Sequence, residues 1–463
     1  MPLSRISGHR RTFLKSAAGA ALTASGRAET LRPNIVLIVC DDLGYGDLSC
    51  YGSEIATPNI DGMAQEGVRF TNWYSASPVC SPARAALLTG RYPPRTGVTS
   101  VLGPGDPGLP ASETIMPQML KKMGYSTMCV GKWHLGSTPG YLPTDRGFDE
   151  WYGIPYSIDM WPRPLMHNQD IIEQPANLTT LTQRYTQWAV DFISRSKNSP
   201  FFLYMPHSFP HIPLATSTAF QGVSGQGLYG DVVQEIDSSV GQVLQTLAAN
   251  GIDNNTLVMF SSDHGPWYQG SPGKLRGRKN DTYEGGMRVP FVARFPGAIP
   301  KGITHHGVAS SIDLMPTVSR LTGAPLPRTI IDGHDIWPLL SGQTTQFGRE
   351  VFLYFNDIFL QCARVGTWKL HATRFNTPAY APAPSAGIQN LRLPSPELYD
   401  LRVDPQESYD RSSENPGMVA DILTRMNKMI ETFPQNVQDV WKAAMATPVQ
   451  QTPTGALPIA QGS

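Results

Sequence analysis

The chain has 463 residues, with 37 basic and 37 acidic side chains that cancel to a formal net charge of zero, and it contains 43 Gly and 41 Pro. That length allows one large domain with an appendage or two domains, and the balanced charge supplies no bulk field for nucleic acid or an acidic membrane surface. Attraction for an anion must come from a local cluster, and the Gly and Pro content implies many loops around a scaffold.

Taken in order, the chain begins with Arg10-Arg11-Thr12-Phe13-Leu14-Lys15 and a small apolar run from Ser16 to Ala24. This is the pattern of a twin-arginine bacterial export signal, so residues 1–29 are expected to be a signal peptide and the mature protein to be periplasmic or secreted. No apolar run approaches the ~20 residues of a membrane span. Asn34 to Cys40 is an unbroken apolar run of strand length, as in a parallel strand buried on both faces. It ends in Asp41-Asp42, two adjacent carboxylates where open α/β sheets bind ligands, and their repulsion calls for a cation. Cys80-Ser81-Pro82-Ala83-Arg84 opens a predicted helix, with Pro82 in its first turn, alanines and leucines propagating it and Gly90 stopping it. A Cys at such a position sits in positive potential that favours the thiolate, and by itself it reads as either structural or reactive.

Three more strands deliver polar residues at their ends. Ser126 to Val130 leads to Lys132 and His134, Pro200 to Met205 to His207 and His211, and Thr256 to Phe260 to Asp263 and His264. Between them, apolar residues at spacings of three and four from Tyr185 to Ile193 and from Val232 to Leu247 predict core-facing helices. The alternation predicts an α/β fold: a large, mainly parallel mixed sheet flanked by helices, with polar residues collected along one edge. After a further helix at Ile312 to Leu321 the texture changes. Val351 to Phe355, Gln361 to His371 and Glu397 to Leu401 read as strands, Thr377 to Pro396 as a Pro-rich loop, and Met418 to Phe433 as a helix. The expected division is a catalytic domain over 30–345, a smaller C-terminal α+β subdomain with an antiparallel sheet over 346–440, and a disordered tail over 441–463. Cys40, Cys50, Cys129 and Cys362 show no zinc spacing and read as buried or inert thiols; His305, His306, His334 and His371 read as core or surface residues.

Cys80-Ser81-Pro82-Ala83-Arg84 followed by Leu88-Thr89-Gly90-Arg91 resembles the maturation signature of type I, formylglycine-dependent sulfatases. These form the arylsulfatase family of the alkaline phosphatase-like superfamily, and the motif pattern here is most similar to arylsulfatase A-like enzymes over residues 33 to 405. The resemblance implies that a formylglycine-generating enzyme oxidises Cys80 to 3-oxoalanine (Cα-formylglycine), which hydrates to a geminal diol. A diol can take sulfate on one oxygen and expel it by collapsing to the aldehyde, so water never has to approach the crowded sulfur. It further implies a metal held by Asp41, Asp42, Asp263, His264 and the matured Cys80. Ca2+ is expected, with Mg2+ or Mn2+ as alternatives because His264 stands where many members have Asn or Gln, and an imidazole nitrogen suits hard Ca2+ less well.

By the same resemblance Arg84 and Lys132 hold the diol and the sulfate, Lys279 is a second sulfate-binding lysine, and His134 is the base that drives sulfate release. His211 contacts the ester oxygen and protonates the leaving alcohol, with His207 as its rival, and Ser157 matches a site serine. The implied reaction is hydrolysis of a small-molecule or glycan sulfate ester, a sulfated carbohydrate foremost, with aryl sulfates as test substrates. A phosphodiesterase or phosphonate monoester hydrolase of the same superfamily and a non-catalytic sulfated-glycan-binding protein are the alternative readings. Tyr156 to Pro175, Ser208 to Gly227 and Thr377 to Pro396 are expected to rim the cleft, with Trp161, Arg163, His167 and Arg374 as candidate substrate readers.

Overall fold

Asn34–Cys40 forms the central strand, all seven residues buried, and pairs in parallel with Phe201–Pro206 on one side and Thr256–Ser262 on the other. The computed structural model describes residues 32–345, 348–377, 381, 385 and 387–446. The ten-stranded sheet runs in the order 303–305, 68–70, 291–294, 256–262, 34–40, 201–206, 126–130, 150–153, 165–167, 170–173. Its five strands from Thr256–Ser262 to Glu150–Gly153 are parallel, whereas Phe291–Arg294 and the 165–173 hairpin run antiparallel to their neighbours.

Side chains alternate between the two faces of such a strand, and both faces here are covered. Ile35, Leu37 and Val39 join one buried cluster, and Val36, Ile38 and Cys40 the other. The second cluster takes the apolar stripe of the helices Leu181–Ser196 and Gly227–Ala249, through Tyr185, Ala189, Ile193, Val233, Ile236 and Val240. The expected mainly parallel sheet with flanking helices is therefore present.

Phe352–Asn356, Phe359–Val365, Trp368–Phe375 and Asn390–Asp400 form an antiparallel four-stranded sheet in chain order. Leu353, Tyr354 and Leu370 of this sheet pack with Tyr74, Ala86 and Tyr92, so it shares a core with the helix that starts at Cys80. The last strand begins inside the stretch expected to be loop. Pro394 and Pro396 lie within it, tolerated because it is an edge strand that leaves its outer N–H groups unpaired. Its register skips between Thr373↔Arg392 and His371↔Glu397, which bulges the prolines out of the ladder. The Tyr156 to Pro175 stretch is likewise not all loop, since it contains the hairpin Leu165–His167 and Asp170–Glu173.

The expected tail starts later than residue 441. Gln435–Ala446 is a helix, and Val437 and Trp441 are buried on its inner face. The bound at 441 falls inside this helix, which Val437 and Trp441, four positions apart, dock by one face, and the polar, Pro-rich stretch begins only after it. The signal segment and the rest of the tail lie outside the described residues.

Candidate active site

The site forms where four neighbouring parallel strands end and one helix begins. Asp41 and Asp42 follow the central strand, Lys132 and His134 follow Ser126–Val130, His211 follows Phe201–Pro206, and Asp263 and His264 follow Thr256–Ser262. Cys80 is the first residue of the helix Cys80–Thr89, all ten of whose residues are buried, and Gly90 ends it at φ 68° with its N–H on the Ala86 carbonyl. Asp42 and His134 have φ of 65° and 59°, left-handed values that cost a non-glycine residue of order 1–3 kcal/mol. The neighbours impose them: His134 N–H donates to the Pro155 carbonyl at 3.0 Å and Asp42 N–H to Asp263 Oδ1 at 3.4 Å.

Arg84, one turn into the helix, donates through Nε and Nη2 to Asp263 Oδ2 at 3.1 and 2.8 Å and through Nη1 to the Lys132 carbonyl at 3.0 Å. Lys132 Nζ lies 2.5 Å from Asp41 Oδ2, and Lys279 Nζ 2.7 and 3.0 Å from the two oxygens of Asp42. Burial alone would raise the carboxyls of Asp41 and Asp42. Lys132, His211 and Arg84 outweigh it at Asp41 and hold that group well below the usual carboxylate range; Lys279, His211 and His264 lower Asp42. Lys279 is correspondingly pushed up against its own burial by Cys80, Asp42 and Asp41. Its segment is tied to the nucleophile loop, since Asn280 N–H donates to the Pro78 carbonyl at 2.9 Å.

Asp41, Cys80, Asp263 and His264 each offer a ligand atom, and those four atoms lie within 4.8 Å of one another. Ca2+ takes ligands at about 2.3–2.6 Å, so two ligands facing each other across it stand roughly 4.6–5.2 Å apart, and the cluster matches that span. His264 is aimed for the purpose. Its Nδ1 must carry a proton because its partner at 2.9 Å is the Gly265 carbonyl, which leaves Nε2 facing Cys80 Sγ at 3.2 Å and Asp42 Oδ1 at 3.5 Å. Burial disfavours the charged ring, but Asp263 and Cys80 overcome it and push its pKa to about 9, so a metal ion held there would take the place of the proton on Nε2.

His134 is set up differently. Burial, then Lys132 and Arg84, hold it well below the usual histidine value, so the ring is neutral near pH 7. Its Nε2–H donates to the Leu102 carbonyl at 2.9 Å, and its buried Nδ1 has no hydrogen-bond partner among the described residues: a free lone pair. His211 Nδ1–H donates to the Ile212 carbonyl at 2.5 Å, which turns Nε2 towards Ser157 Oγ at 3.5 Å and Asp42 Oδ2 at 3.7 Å.

Residues 33–324 match the family model described as "Sulfatase". The chain belongs to the sulfatase family. Models described as the C-terminal region of aryl-sulfatase and the C-terminal part of N-sulphoglucosamine sulphohydrolase match residues 348–456 and 278–374. Human arylsulfatase A is 37% identical over 451 residues, 88% of each chain, and canine N-acetylgalactosamine-6-sulfatase is 41% identical over 410 residues, 80% of this chain and 76% of that one. Among solved structures, Ps i-CgsB in complex with k-i-k-neocarrahexaose superposes with a TM-score of 0.76 at 28% identity, covering 90% of this chain and 98% of that one. The protein is a sulfatase enzyme, of the family the Cys80 signature resembles.

The structure thus brings together every site residue picked from the sequence: Asp41, Asp42, Cys80, Arg84, Lys132, His134, Ser157, His211, Asp263, His264 and Lys279. His207 is left out. It is fully buried, both ring nitrogens are without hydrogen-bond partners among the described residues, and burial pushes its pKa to about 4. Two expected substrate readers in this sulfatase are occupied elsewhere: Arg163 donates to the Ile158 carbonyl, and His167 bonds Glu150 and packs on Trp188. Cys362, read as a buried or inert thiol, and His371, read as a core or surface histidine, are both buried and in contact at 3.1 Å. Sequence reasoning passed over Arg276, Arg278 and Tyr283 beside Lys279, although the run Lys274-Leu275-Arg276-Gly277-Arg278-Lys279 carries four cations in six residues.

Proposed function

We propose that this sulfatase hydrolyses a sulfated carbohydrate through Cys80 matured by a formylglycine-generating enzyme to Cα-formylglycine. The observation that carries the reading is the position of Cys80 Sγ, 3.6 Å from Asp41 Oδ1 and 3.2 Å from His264 Nε2 at the mouth of a cradle of Arg84, Lys132 and Lys279. The hydrated residue supplies one hydroxyl to take the sulfuryl group and a second whose deprotonation releases sulfate. Ca2+ held by Asp41, Asp42, Asp263, His264 and the matured residue 80 would add a fixed positive charge at that point.

The remaining chemistry belongs to ordinary side chains. Sulfuryl transfer spreads negative charge over the equatorial oxygens, and fixed cations in a buried cleft stabilise that charge more than they stabilise the ground state. Arg84, Lys132 and Lys279 do this. As the bond between sulfur and the alcohol oxygen breaks, His211 gives that oxygen a proton from Nε2, and Ser157 steadies the ring. His134 then accepts a proton at its free Nδ1. The carbohydrate reading is supported by a relative named for N-acetylgalactosamine 6-sulfate and by a structural neighbour solved with a carrahexaose. The twin-arginine pattern at Arg10-Arg11 supports export to the periplasm or beyond, where extracellular glycans are met.

The test is mass spectrometry of the peptide containing Cys80, from protein produced together with the maturing enzyme, alongside turnover of a chromogenic aryl sulfate by wild type and Cys80→Ala. Conversion of the thiol to the aldehyde and loss of turnover in the variant are expected. An unmodified thiol in active protein, or equal turnover by the variant, overturns the reading.

A further inference from the structure

Beside the reaction centre lies a cavity of about 780 Å3, within the range of small-molecule sites. Lys279 lines it and also reaches Asp42, so the cavity adjoins the catalytic cleft through that side chain. One wall is the segment from Leu275 to Tyr283, and the facing wall is the strand end at Arg374 and Phe375.

Four cations face this space, and two of them are already neutralised: Lys279 by Asp42, and Arg374 by Glu397 at 2.5 Å. Among the described residues Arg276 and Arg278 make no ion pair. Both are nonetheless fixed. Arg278 Nη1 donates to the Trp267 and Gly270 carbonyls at 2.8 and 2.7 Å; Arg276 Nη1 donates to the Glu407 carbonyl at 2.8 Å, and its guanidinium lies 4.2 Å from the centre of the Tyr283 ring. Backbone carbonyls orient these groups without cancelling their charge, and each guanidinium keeps further N–H donors. The one acidic side chain on the wall, Asp281, accepts the Arg278 backbone N–H at 3.0 Å. Trp267 and Tyr268 add aromatic surface to the lining, whereas the Tyr283 ring is covered by Arg276 and Arg374.

We infer that this cavity is the subsite for the alcohol portion of the substrate, and that it takes a saccharide bearing a second anionic group, a sulfate or a carboxylate, held by Arg276 and Arg278. The inference rests on the sulfated-carbohydrate reading above and specifies it: the preferred substrate is a polyanionic glycan rather than a neutral sugar with a single sulfate. Preorganised guanidinium forks favour planar or tetrahedral oxyanions because they offer two parallel donors at fixed spacing.

The test compares kcat/KM for a monosulfated methyl glycoside with that for the same glycoside bearing a second sulfate or a carboxylate. Wild type should favour the doubly charged substrate about tenfold to a hundredfold, the worth of a charge-assisted hydrogen bond. Arg276→Gln should collapse that preference towards unity, mainly through KM, and Arg276→Lys should restore part of it. A merely structural role for Arg276 would weaken both substrates alike and leave the ratio in place. A wild-type ratio near one, or an unchanged ratio in Arg276→Gln, overturns the inference. Turnover of 4-nitrophenyl sulfate by wild type separates the two levels: if it depends on Cys80 while the ratio is one, only the subsite fails, and if it is absent the sulfatase chemistry fails and takes the subsite with it.

Discussion

His211 shows how a single side chain is given one direction of action. The Ile212 carbonyl claims Nδ1–H, so only Nε2 faces the cleft, and Ser157 and Asp42 are the groups it meets there. A general acid matters in proportion to how poor the leaving group is, because a good phenolate leaves without a proton and an alkoxide does not. His211→Ala should therefore lower kcat/KM by about two to four decades on an alkyl or sugar sulfate, and by much less on a nitrophenyl sulfate. A series of leaving alcohols measures this as a steeper dependence of rate on alcohol pKa in the variant. Parallel lines for wild type and variant would remove His211 from the proton transfer. His134 has the converse arrangement, with Nε2–H occupied by Leu102 and Nδ1 open, which suits a group that accepts a proton.

At the scale of elements, the segment carrying Lys279 is anchored to the C-terminal sheet by a buried polar knot. Glu407 accepts from Lys369 at 2.9 Å, from His371 at 2.6 Å and from the Glu284 backbone N–H at 2.7 Å, while Lys369 also donates to the Thr282 carbonyl at 2.8 Å. Burial opposes ionisation of Glu407, but Lys369 and His371 outweigh it and lower its pKa from the ordinary 4.5 to about 2. A depressed carboxyl stabilises the fold above its unfolded pKa, and that contribution is lost as pH falls through the folded value. Glu407→Gln should cost about 1–3 kcal/mol in urea unfolding near neutral pH, from the charged hydrogen bonds lost to His371 and Lys369, because Lys369 keeps a second carboxylate, Glu284, at 3.1 Å. The gap between wild type and variant should narrow as pH falls from 4.5 towards 2; a gap that does not change over that interval would show that Glu407 is not ionised in the knot. None of this was legible in the sequence, because Lys369, His371 and Glu407 meet residues 36 to 123 positions away, and Thr282, Glu284 and Glu407 lie outside the strands that a periodic pattern reveals. The strand ends were legible for the opposite reason: a parallel strand buried on both faces is an unbroken apolar run, and a polar residue just beyond it lies at the sheet's edge. Lys279 could be picked only by its motif, since no periodic element carries it, and the edge strand at Asn390–Asp400 was hidden by its prolines.

For the whole molecule, the formal charge of zero conceals a concentrated field. Asp41, Asp42 and Asp263 stand on two adjacent strand ends, and Arg84, Lys132 and Lys279 converge on them from the signature helix, a third strand and the segment tied to the C-terminal sheet. A metal ion bound there would join parts of the chain more than 200 residues apart, so its removal should be felt by the fold as well as by the chemistry. The three cations already offset the three carboxylates, so the cluster is not left with bare like charges and the fold should survive. A ligand present at a thousand times its Kd stabilises the native state by about 4 kcal/mol, and for a chain of this size unfolding entropy converts that to roughly 4 °C in Tm. Chelation should therefore lower Tm by a few degrees while abolishing turnover, and re-addition of Ca2+ should restore both. Calorimetry with each of Ca2+, Mg2+ and Mn2+ ranks the ions independently of activity. A larger Tm recovery with Mn2+ than with Ca2+ would assign the site to the softer ion and make His264 the reason, whereas a Tm indifferent to all three would mean that the cluster holds no resident metal.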